Sequence, residues 1–237
     1  MLILGHRGVA GLLPENSAAG FEEAVRLGLD GVEFDVRPDA GGRPVVCHDP
    51  DLKRLFGIPE RIENLGARTL KRLTAGPRQL LTLDEALEIL APLPFIDIEI
   101  KAEDARPRGI EQAVASAIAR HGLRNKTLFT SFNPLTLARL KRLYPPAKTG
   151  FLLDPRSPMW MRAPPVPKAI GCEAVAPNCN WVGELANSVW KRWRLKRLGW
   201  TVNTREQFEK MVRYDMDAVI SDNPVQIREM AGAIGSV

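Results

Sequence analysis

The chain has 237 residues, 45% of them hydrophobic, which is enough to bury one large core as a single domain over residues 1–237. No stretch approaches the roughly 18 apolar residues of a membrane span. The short apolar N-terminus follows no basic segment, so we expect a cytoplasmic protein. Three cysteines without CxxC spacing indicate neither a disulfide framework nor a zinc site. The net charge of +5 suits anionic substrates, membranes or nucleic acid, but no nucleic-acid-binding motif is present, so we expect no nucleic-acid partner.

Short extended runs alternate with helical periods along the chain. Strands are predicted at 2–4, around Val32, around Val45 and at 94–101, 127–132, 149–153, 174–176, 200–203 and 218–221. Helices are predicted at 16–27, 82–90, 109–122, 134–143 and 184–198, and two more begin near Thr204 and Pro224. Residues 50–80 form a polar, irregular stretch typical of an insertion with short helical pieces, and residues 155–167 form a proline-rich loop.

About eight strands with helices between them, in this length, predict an α/β fold of the (β/α)8 TIM-barrel type. The segments around Val32 and Val45 are joined without a helix, so one of them lies outside the barrel count, and a small insertion follows the second barrel strand. The competing architecture is a doubly wound open sheet. That fold usually has a G-x-G-x-x-G turn after its first strand, and the sequence GHRGVAG lacks this spacing.

The second predicted strand has acidic residues where a buried strand would be apolar. Alternation places Glu33 and Asp35 on one face and an apolar Val/Phe/Val set on the other. Two neighbouring carboxylates repel each other and lose hydration on burial, unless a cation lies between them. For this strand alone, a bound cation and a solvent-exposed acidic face are both open.

A second acidic strand favours the internal site. In 94–101, three isoleucines form one face, while Asp97, Glu99 and Lys101 form the other. The carboxyl ends of barrel strands meet at one end of the fold, so Glu33, Asp35 and Glu99 are expected to converge there. Carboxylate oxygens are hard ligands, which suit Mg²⁺ or Ca²⁺. The sequence therefore predicts an all-oxygen metal site.

Two histidines and two cations follow the same predicted strand ends. His6 and Arg7 follow the first strand, His48 follows the Val45 segment, and Lys101 ends the second acidic strand. Imidazoles can exchange protons near neutral pH, and Arg and Lys beside a metal suit an anionic group such as phosphate. This combination indicates phosphoester cleavage. His121, at the end of a predicted helix, fits a structural role instead.

The motifs together resemble the glycerophosphodiester phosphodiesterase family from Leu4 to Pro224. The matching pieces, in chain order, are GHRG at 5–8, PENS at 14–17, EFDV at 33–36, HD at 48–49, LTLDEA at 81–86, IEIK at 98–101, SF at 131–132, WTVN at 200–203 and ISDNP at 220–224. Each piece is weak alone, but their joint order and spacing is a strong signal.

The resemblance implies hydrolysis of small-molecule glycerophosphodiesters to glycerol 3-phosphate and an alcohol. It implies a divalent metal, Mg²⁺ or Ca²⁺, on the three carboxylates, His6 and His48 as an acid/base pair, and Arg7 with Lys101 as phosphate contacts. The family reaction runs through a cyclic phosphate that water then opens. Which imidazole is base and which is acid stays open at this point.

Aromatic residues are expected at the mouth or in the pocket of the barrel. They are Trp160 in the proline-rich loop, Trp181 after the sixth barrel strand at 174–176, and Trp200, with Asn203 close by. An exposed Trp160 would suit an acyl chain or a transient contact with a membrane surface, which makes a lysophospholipase D the alternative activity. The opposite hypothesis is that the loop packs its own aromatics. A non-catalytic phosphodiester-binding barrel is less favoured, because His6 and His48 are both present.

Overall fold

The computed structural model describes residues 1–102 and 109–234. Strands and helices alternate through most of this part of the chain. The strands are Leu2–His6 (β1), Gly31–Pro38 (β2), Pro44–Val46 (β3), Phe95–Ile100 (β4), Thr127–Ser131 (β5), Lys148–Leu153 (β6), Ala174–Pro177 (β7), Lys196–Gly199 (β8) and Ala218–Ser221 (β9). Within the described residues, no helix is long and apolar enough to span a bilayer.

The helices are Ala18–Arg26 (α1), Lys53–Phe56 (α2), Ala67–Leu73 (α3), Leu83–Leu90 (α4), Ile110–Arg120 (α5), Pro134–Leu143 (α6), Val166–Ala169 (α7), Glu184–Arg192 (α8), Arg205–Arg213 (α9) and Pro224–Ile234 (α10). Side-chain caps fix several of their starts. Ser17 accepts a hydrogen bond from the Gly20 N–H at α1. Complete capping boxes, with Thr82 and Thr204 as N-caps, begin α4 and α9 at the two helix starts predicted there.

Eight parallel strands close into a barrel. Their order is β1, β2, β4, β5, β6, β7, β8 and β9, and β9 pairs with β1 to complete the circle. The third strand, β3, lies outside the barrel and runs antiparallel to β2. The predicted (β/α)8 barrel, with one early segment outside the count, is confirmed.

The strands bury both faces in different ways. The outward side chains of β2 and β4, including Phe34 and Ile98, pack in a core with the surrounding helices, where the Phe34 ring lies 5.4 Å from that of Phe21. The inward side chains of the other strands form an apolar cluster inside the barrel, which includes Leu4, Leu152 and Ile220. The predicted alternation of apolar and acidic faces therefore follows the two sides of the barrel wall.

The insertion has a small core of its own. Residues 50–80 contain α2, a 3₁₀ turn at Ile62–Asn64, and α3. Buried side chains from this segment pack against β3, among them Leu52, Ile62 and Leu70 against Val45. The insertion follows β3 directly in the chain and packs against this strand, beside the barrel.

The predicted boundaries were wrong at the eighth barrel strand. The helix predicted at 184–198 ends at Arg192, and the strand predicted at 200–203 lies at Lys196–Gly199. Arg194 turns the chain with a positive φ of 59° between them. The sequence of β8, KRLG, reads as the end of a basic helix, but Arg197 is buried and pairs with Asp217. A buried arginine that is neutralised by Asp217 thus gave this strand the composition of a surface helix.

Replacing Phe34 with Ala tests the packing between the barrel wall and the helices. Phe34 is fully buried, so Phe34→Ala is expected to lower the free energy of unfolding by about 3–5 kcal/mol. Urea denaturation followed by circular dichroism measures this change. The control is Leu143→Ala on the exposed side of α6, which is expected to change stability by less than about 0.5 kcal/mol. Equal effects of the two variants would contradict the described packing.

Candidate active site

Three carboxylates converge inside the barrel, near the carboxyl ends of two neighbouring strands. Glu33 and Asp35 lie on β2 and Glu99 on β4, where the parallel register pairs Asp35 with Glu99. One oxygen of each side chain lies within 4.8 Å of the others. All three residues are buried. The sequence prediction that these side chains share one site in the fold agrees with this geometry.

The cluster is only partly neutralised by cations of the chain. Lys101 Nζ lies 2.9 Å from Asp35 Oδ1 and 2.6 Å from Glu99 Oε1. Arg7 Nε lies 3.4 Å from Asp35 Oδ2, and Asn16 donates a hydrogen bond of 2.9 Å to the same oxygen. Although burial opposes the ionisation of Asp35, the charges of Lys101 and Arg7 hold its pKa well below the usual range. Asp35 is therefore a fixed anion in the centre of the cluster.

Glu33 has the opposite electrostatic environment. Burial, followed by the negative charge of Asp35, raises the pKa of Glu33 to about 8. A divalent cation would relieve this repulsion, because it binds to the charged form of each carboxylate. The donors are hard oxygens, and within residues 1–102 and 109–234 they form the one group of three His, Cys, Asp or Glu close enough to hold an ion. The donor set fits Mg²⁺ or Ca²⁺.

His6 lies at the end of β1 in a hydrogen-bonded chain. Its Nδ1 lies 2.6 Å from Asp222 Oδ1, while Asn203 donates a hydrogen bond of 2.6 Å to Asp222 Oδ2. The other ring nitrogen, Nε2, lies 3.8 Å from Glu33 Oε2. Burial opposes protonation of this ring, but the hydrogen bond to Asp222 and the charge of Glu33 outweigh it and raise the pKa of His6 above 6.5.

His48 has a partner as well, but its environment acts in the other direction. Its Nδ1 lies 2.7 Å from Asp49 Oδ1. Burial lowers the pKa of His48, and the nearby charges of Lys101 and Arg7 add to this effect against the opposing charge of Asp35. The backbone carbonyl of His48 accepts a hydrogen bond from the Arg37 side chain, which fixes the chain at this point. The two imidazoles therefore differ in which protonation state they favour.

Arg54 links the insertion to both sides of this site. From α2, its Nε lies 2.5 Å from Asp49 Oδ2, and its two terminal nitrogens donate to Glu15 at 2.8 Å and 2.6 Å. Asp49 in turn holds the His48 ring, and Glu15 accepts a hydrogen bond of 2.9 Å from Arg7. The Arg54 guanidinium therefore joins Asp49, the partner of His48, and Glu15, the partner of Arg7, in one hydrogen-bonded network.

One cavity of about 280 Å³ brings the charged residues together. His6, His48, Glu33, Glu99, Arg7 and Lys101 all line it. The remaining lining residues form a mostly apolar wall with one further cation: Phe132, Leu152, Arg156, Trp200, Thr201 and Ile220. The sequence analysis did not predict Arg156. Its position, three residues after the end of β6, is the one signal that could have indicated it.

The predicted aromatic residues have different positions. Trp200 lines the cavity and donates a hydrogen bond to the Ala176 carbonyl. Among the described residues, Trp160 and Trp181 do not line it: Trp160 is largely exposed, while Trp181 packs beneath Arg162 against the apolar core that includes Phe151 and Trp190. Asn203 holds Asp222 rather than lining the cavity itself.

His121 lies apart from these groups. It follows α5, and its Nε2 lies 2.8 Å from Asp84 Oδ1 near the start of α4. Asp84 also accepts two hydrogen bonds from Arg120. This ion-pair cluster joins two neighbouring helices on the outside of the barrel, in agreement with the structural role that we expected.

A (β/α)8 barrel with an acidic cluster beside a cavity that two imidazoles and three cations line has a hydrolase-type site at the carboxyl end of its strands. The family model described as the glycerophosphoryl diester phosphodiesterase family matches residues 6–226. The chain therefore belongs to this family, and it is an enzyme of the glycerophosphodiester phosphodiesterase class.

Individual relatives cover nearly the whole chain. The glycerophosphodiester phosphodiesterase of Caldanaerobacter subterraneus is 29% identical, over 94% of each chain. The crystal structure of such an enzyme from Thermotoga maritima is 28% identical and superposes with a TM-score of 0.81, over 97% of this chain and 98% of the other. A phosphodiesterase structure from Oleispira antarctica is 26% identical, with a TM-score of 0.87 over 98% and 97% of the two chains.

The Arg54 network can be tested by removing the charge. Arg54→Gln leaves Asp49 and Glu15 without their shared partner, so His48 and Arg7 become less well positioned. We expect a fall in kcat/KM of about 5- to 30-fold, equivalent to about 1–2 kcal/mol, and partial recovery in Arg54→Lys, since lysine cannot bind both carboxylates as a fork.

The control is Arg43→Gln, which breaks the pair between another exposed arginine and a buried carboxylate, Asp39 at 3.0 Å, on the turn between β2 and β3. This variant is expected to retain full activity on glycerophosphocholine. A similar loss in Arg43→Gln, or none in Arg54→Gln, would show that the network does not position the site.

Proposed function

We propose that the chain, acting as one domain over residues 1–237, uses a divalent metal and two histidines to release glycerol 3-phosphate from glycerophosphodiesters. The observation that carries this proposal is the shared cavity, which His6 and His48 line together with two carboxylates of the acidic cluster, Glu33 and Glu99, and with the cations Arg7 and Lys101. The relative from Oleispira antarctica supports the product, because its structure is a complex with the product sn-glycerol-3-phosphate.

Glu33, Asp35 and Glu99 would hold the metal through their carboxylate oxygens. When bound, a divalent ion supplies positive charge that neutralises phosphate oxygens and acidifies a nearby hydroxyl. The chain contributes the fixed charge of Asp35, since Lys101 and Arg7 keep this carboxylate ionised before any ion binds. Asp35 would therefore not have to release a proton when the metal binds.

Arg7 and Lys101 are the proposed phosphate contacts. Both side chains line the cavity, and both are largely buried. Among the described residues, Arg7 Nε makes no hydrogen bond, because its contact with Asp35 Oδ2 at 3.4 Å is an ion pair without hydrogen-bond geometry, while its Nη1 donates to Glu15. A buried N–H donor without a partner is costly, and a phosphate oxygen would satisfy it. Arg7 is therefore a pre-positioned donor for an anion in this cavity.

The two imidazole environments suggest their roles. His48 favours the neutral state, which can accept a proton, and His6 favours the protonated state, which can donate one. We therefore assign His48 as the base that removes the proton from the glycerol hydroxyl next to the phosphate. His6 then protonates the oxygen of the departing alcohol.

The first step forms the bond between the glycerol oxygen and phosphorus and breaks the bond between phosphorus and the alcohol oxygen. It yields a cyclic phosphate, a free alcohol, protonated His48 and neutral His6. In the second step His6 takes a proton from water, water attacks phosphorus, and His48 protonates the glycerol oxygen that leaves. Glycerol 3-phosphate is released, and both imidazoles return to their starting states.

A lysophospholipase D is the second candidate function. The observation that favours it is the apolar wall of the cavity, which includes Phe132, Leu152 and Trp200. An acyl chain on the glycerol or on the alcohol would find apolar surface there. Both activities use the same charged groups, so a substrate panel from glycerophosphocholine to lysophosphatidylcholine separates them. Activity that rises with acyl-chain length would favour the second.

The proposed chemistry is tested with glycerophosphocholine and purified protein. Choline release is expected to stop with a chelator and to return with Mg²⁺ or Ca²⁺. His48→Ala is expected to lower kcat by at least about 10²-fold, because it removes the base, while isothermal titration calorimetry shows unchanged metal binding. His121→Ala is the control and is expected to keep full activity. Turnover in the chelator would refute the metal requirement, and an active His48→Ala would remove this residue from the mechanism.

The pH profile tests which imidazole is acid and which is base. His48 must be neutral, so activity is expected to fall as pH drops through its pKa, which is lowered below 6.5. His6 must be protonated, so activity is expected to fall as pH rises through its pKa, which is raised above 6.5. The result is a bell-shaped kcat/KM profile at saturating metal that is highest near neutral pH.

Two variants separate the limbs of this profile. Asp222→Asn removes a charge that raises the pKa of His6, so the alkaline limb is expected to move to lower pH. Asp49→Asn removes a hydrogen-bonded partner that raises the pKa of His48, so the acidic limb is expected to move to lower pH. If each variant moved the other limb, the two roles would be reversed.

A further inference from the structure

The most exposed apolar side chains are gathered at one end of the barrel. Within residues 1–102 and 109–234, the large hydrophobic side chains more than half exposed are Leu12, Leu135, Met159, Trp160 and Leu185. They follow β1, β5, β6 and β7, in the loops or first helical turns at the carboxyl ends of these strands. The cavity with the acidic cluster opens at this same end. We call this end the mouth face.

Met159 and Trp160 form the most prominent part of the mouth face. Met159 is 80% exposed and Trp160 is 65% exposed. The next residue, Met161, packs against the core that includes Phe151 and Trp190 instead. The start of the loop is held by the buried Asp154, which accepts hydrogen bonds from the backbone and side chain of Arg156. The loop is therefore anchored on both sides, and two adjacent apolar side chains extend from it into solvent.

Trp160 and its neighbour Met159 are exposed, so they do not follow the hypothesis that the loop packs its own aromatic side chains. Trp160 has no partner among the ring contacts of the described residues. An exposed tryptophan next to an exposed methionine is unfavourable in water, and contiguous apolar surface of this kind marks contact with another surface. Trp in particular suits the boundary between water and lipid, because its ring is apolar and its N–H is polar.

Positive charge accompanies the apolar side chains. Residues 50–80 contain seven Lys and Arg but three Asp and Glu, and five of the seven cations are exposed: Lys53, Arg54, Arg68, Arg72 and Arg78. Arg54 and Arg78 of this segment and Leu12 of the mouth face line one groove of about 420 Å³. Exposed Leu12 thus lies beside the basic insertion.

From this placement, we propose that the mouth face docks on the surface of an anionic membrane. Met159 and Trp160 enter the interfacial layer, and the basic insertion lies against anionic headgroups. Peripheral attachment of proteins combines such apolar insertion with electrostatic attraction. A second copy of this chain is a poorer occupant, because it would bring a second basic insertion toward the first. The proposal does not depend on the chemistry of the cavity.

Docking also places the cavity opening toward the lipid surface. A phosphodiester carried by a membrane lipid or released from one would then meet the cavity without crossing bulk water. The exposed apolar residues at the other end of the barrel, Leu143 among them, are less exposed than Met159 and Trp160. Leu143 therefore serves as a control residue for Met159 and Trp160 in the test below.

Co-sedimentation with vesicles tests the proposal, using the full chain without substrate. The probes are vesicles of phosphatidylcholine alone and of equal parts phosphatidylcholine and phosphatidylglycerol. We expect binding to the anionic vesicles, weaker binding to the neutral ones, and loss of binding as salt screens the charges. The double variant Met159→Ser/Trp160→Ser is expected to bind about tenfold more weakly, whereas Leu143→Ser binds as the unmodified chain does.

A second measurement keeps the test independent of folding defects in the double variant. Brominated phosphatidylcholine in the anionic vesicles quenches tryptophan that enters the lipid. We expect this quenching in the unmodified chain and its loss in Trp160→Phe, a conservative change. No binding to anionic vesicles, or equal quenching in Trp160→Phe, would overturn the proposal. Self-association that depends on Met159 and Trp160, without vesicle binding, would assign the face to a second copy.

Hydrolysis of glycerophosphocholine in the absence of vesicles is measured in parallel. This soluble assay reports on the cavity alone, so a failure of the proposed function and a failure of docking give different results. Vesicle binding by a chain without hydrolytic activity would leave the docking proposal intact. Full hydrolytic activity without vesicle binding would reject docking and leave the active-site proposal unchanged.

Discussion

The crowding of three buried carboxylates is the constraint on which the site depends. Parallel pairing of β2 with β4 sets Asp35 beside Glu99, and the two-residue repeat brings Glu33 to the same inner face. Like charges at this spacing, away from water, cannot all ionise without compensation. Lys101 and Arg7 compensate in part, which leaves Asp35 charged while the pKa of Glu33 rises to about 8. The pairing of these strands therefore leaves negative charge at the site that a further cation would compensate.

The same register explains why the two imidazoles differ. His6 ends β1 next to Glu33, and Asp222 reaches its ring from the end of β9, 216 residues later, so two carboxylates face the ring and outweigh burial and the charge of Arg7. His48 approaches from outside the barrel, and the cations Lys101 and Arg7 oppose its protonation. Burial lowers the pKa of both rings, but the neighbouring anions outweigh it at His6 and do not outweigh it at His48, so the two pKa values move in opposite directions. A reaction that needs one proton donor and one acceptor is served by this separation.

The sequence predicted what depends on local periodicity and missed what depends on distant partners. Alternating acidic and apolar residues identified the inner faces of β2 and β4, because burial on both sides leaves this pattern in the strand itself. The eighth barrel strand was misplaced since Arg197 is neutralised by Asp217, twenty residues away. Likewise, Arg54 resembles any surface arginine until folding places it between Asp49 and Glu15.

The antiparallel strand β3 and the insertion after it add His48 and its support to the site. A parallel barrel strand points its last side chains toward the mouth and then continues into a loop, so one strand end offers few positions around a cavity. After β2, the chain turns back along this strand, and β3 returns it to the rim, where His48 enters the cavity lining. The insertion then sends Arg54 back to Asp49, the partner of His48. An excursion outside the barrel thereby adds an imidazole, with its own support, to a site whose acidic groups come from the barrel wall.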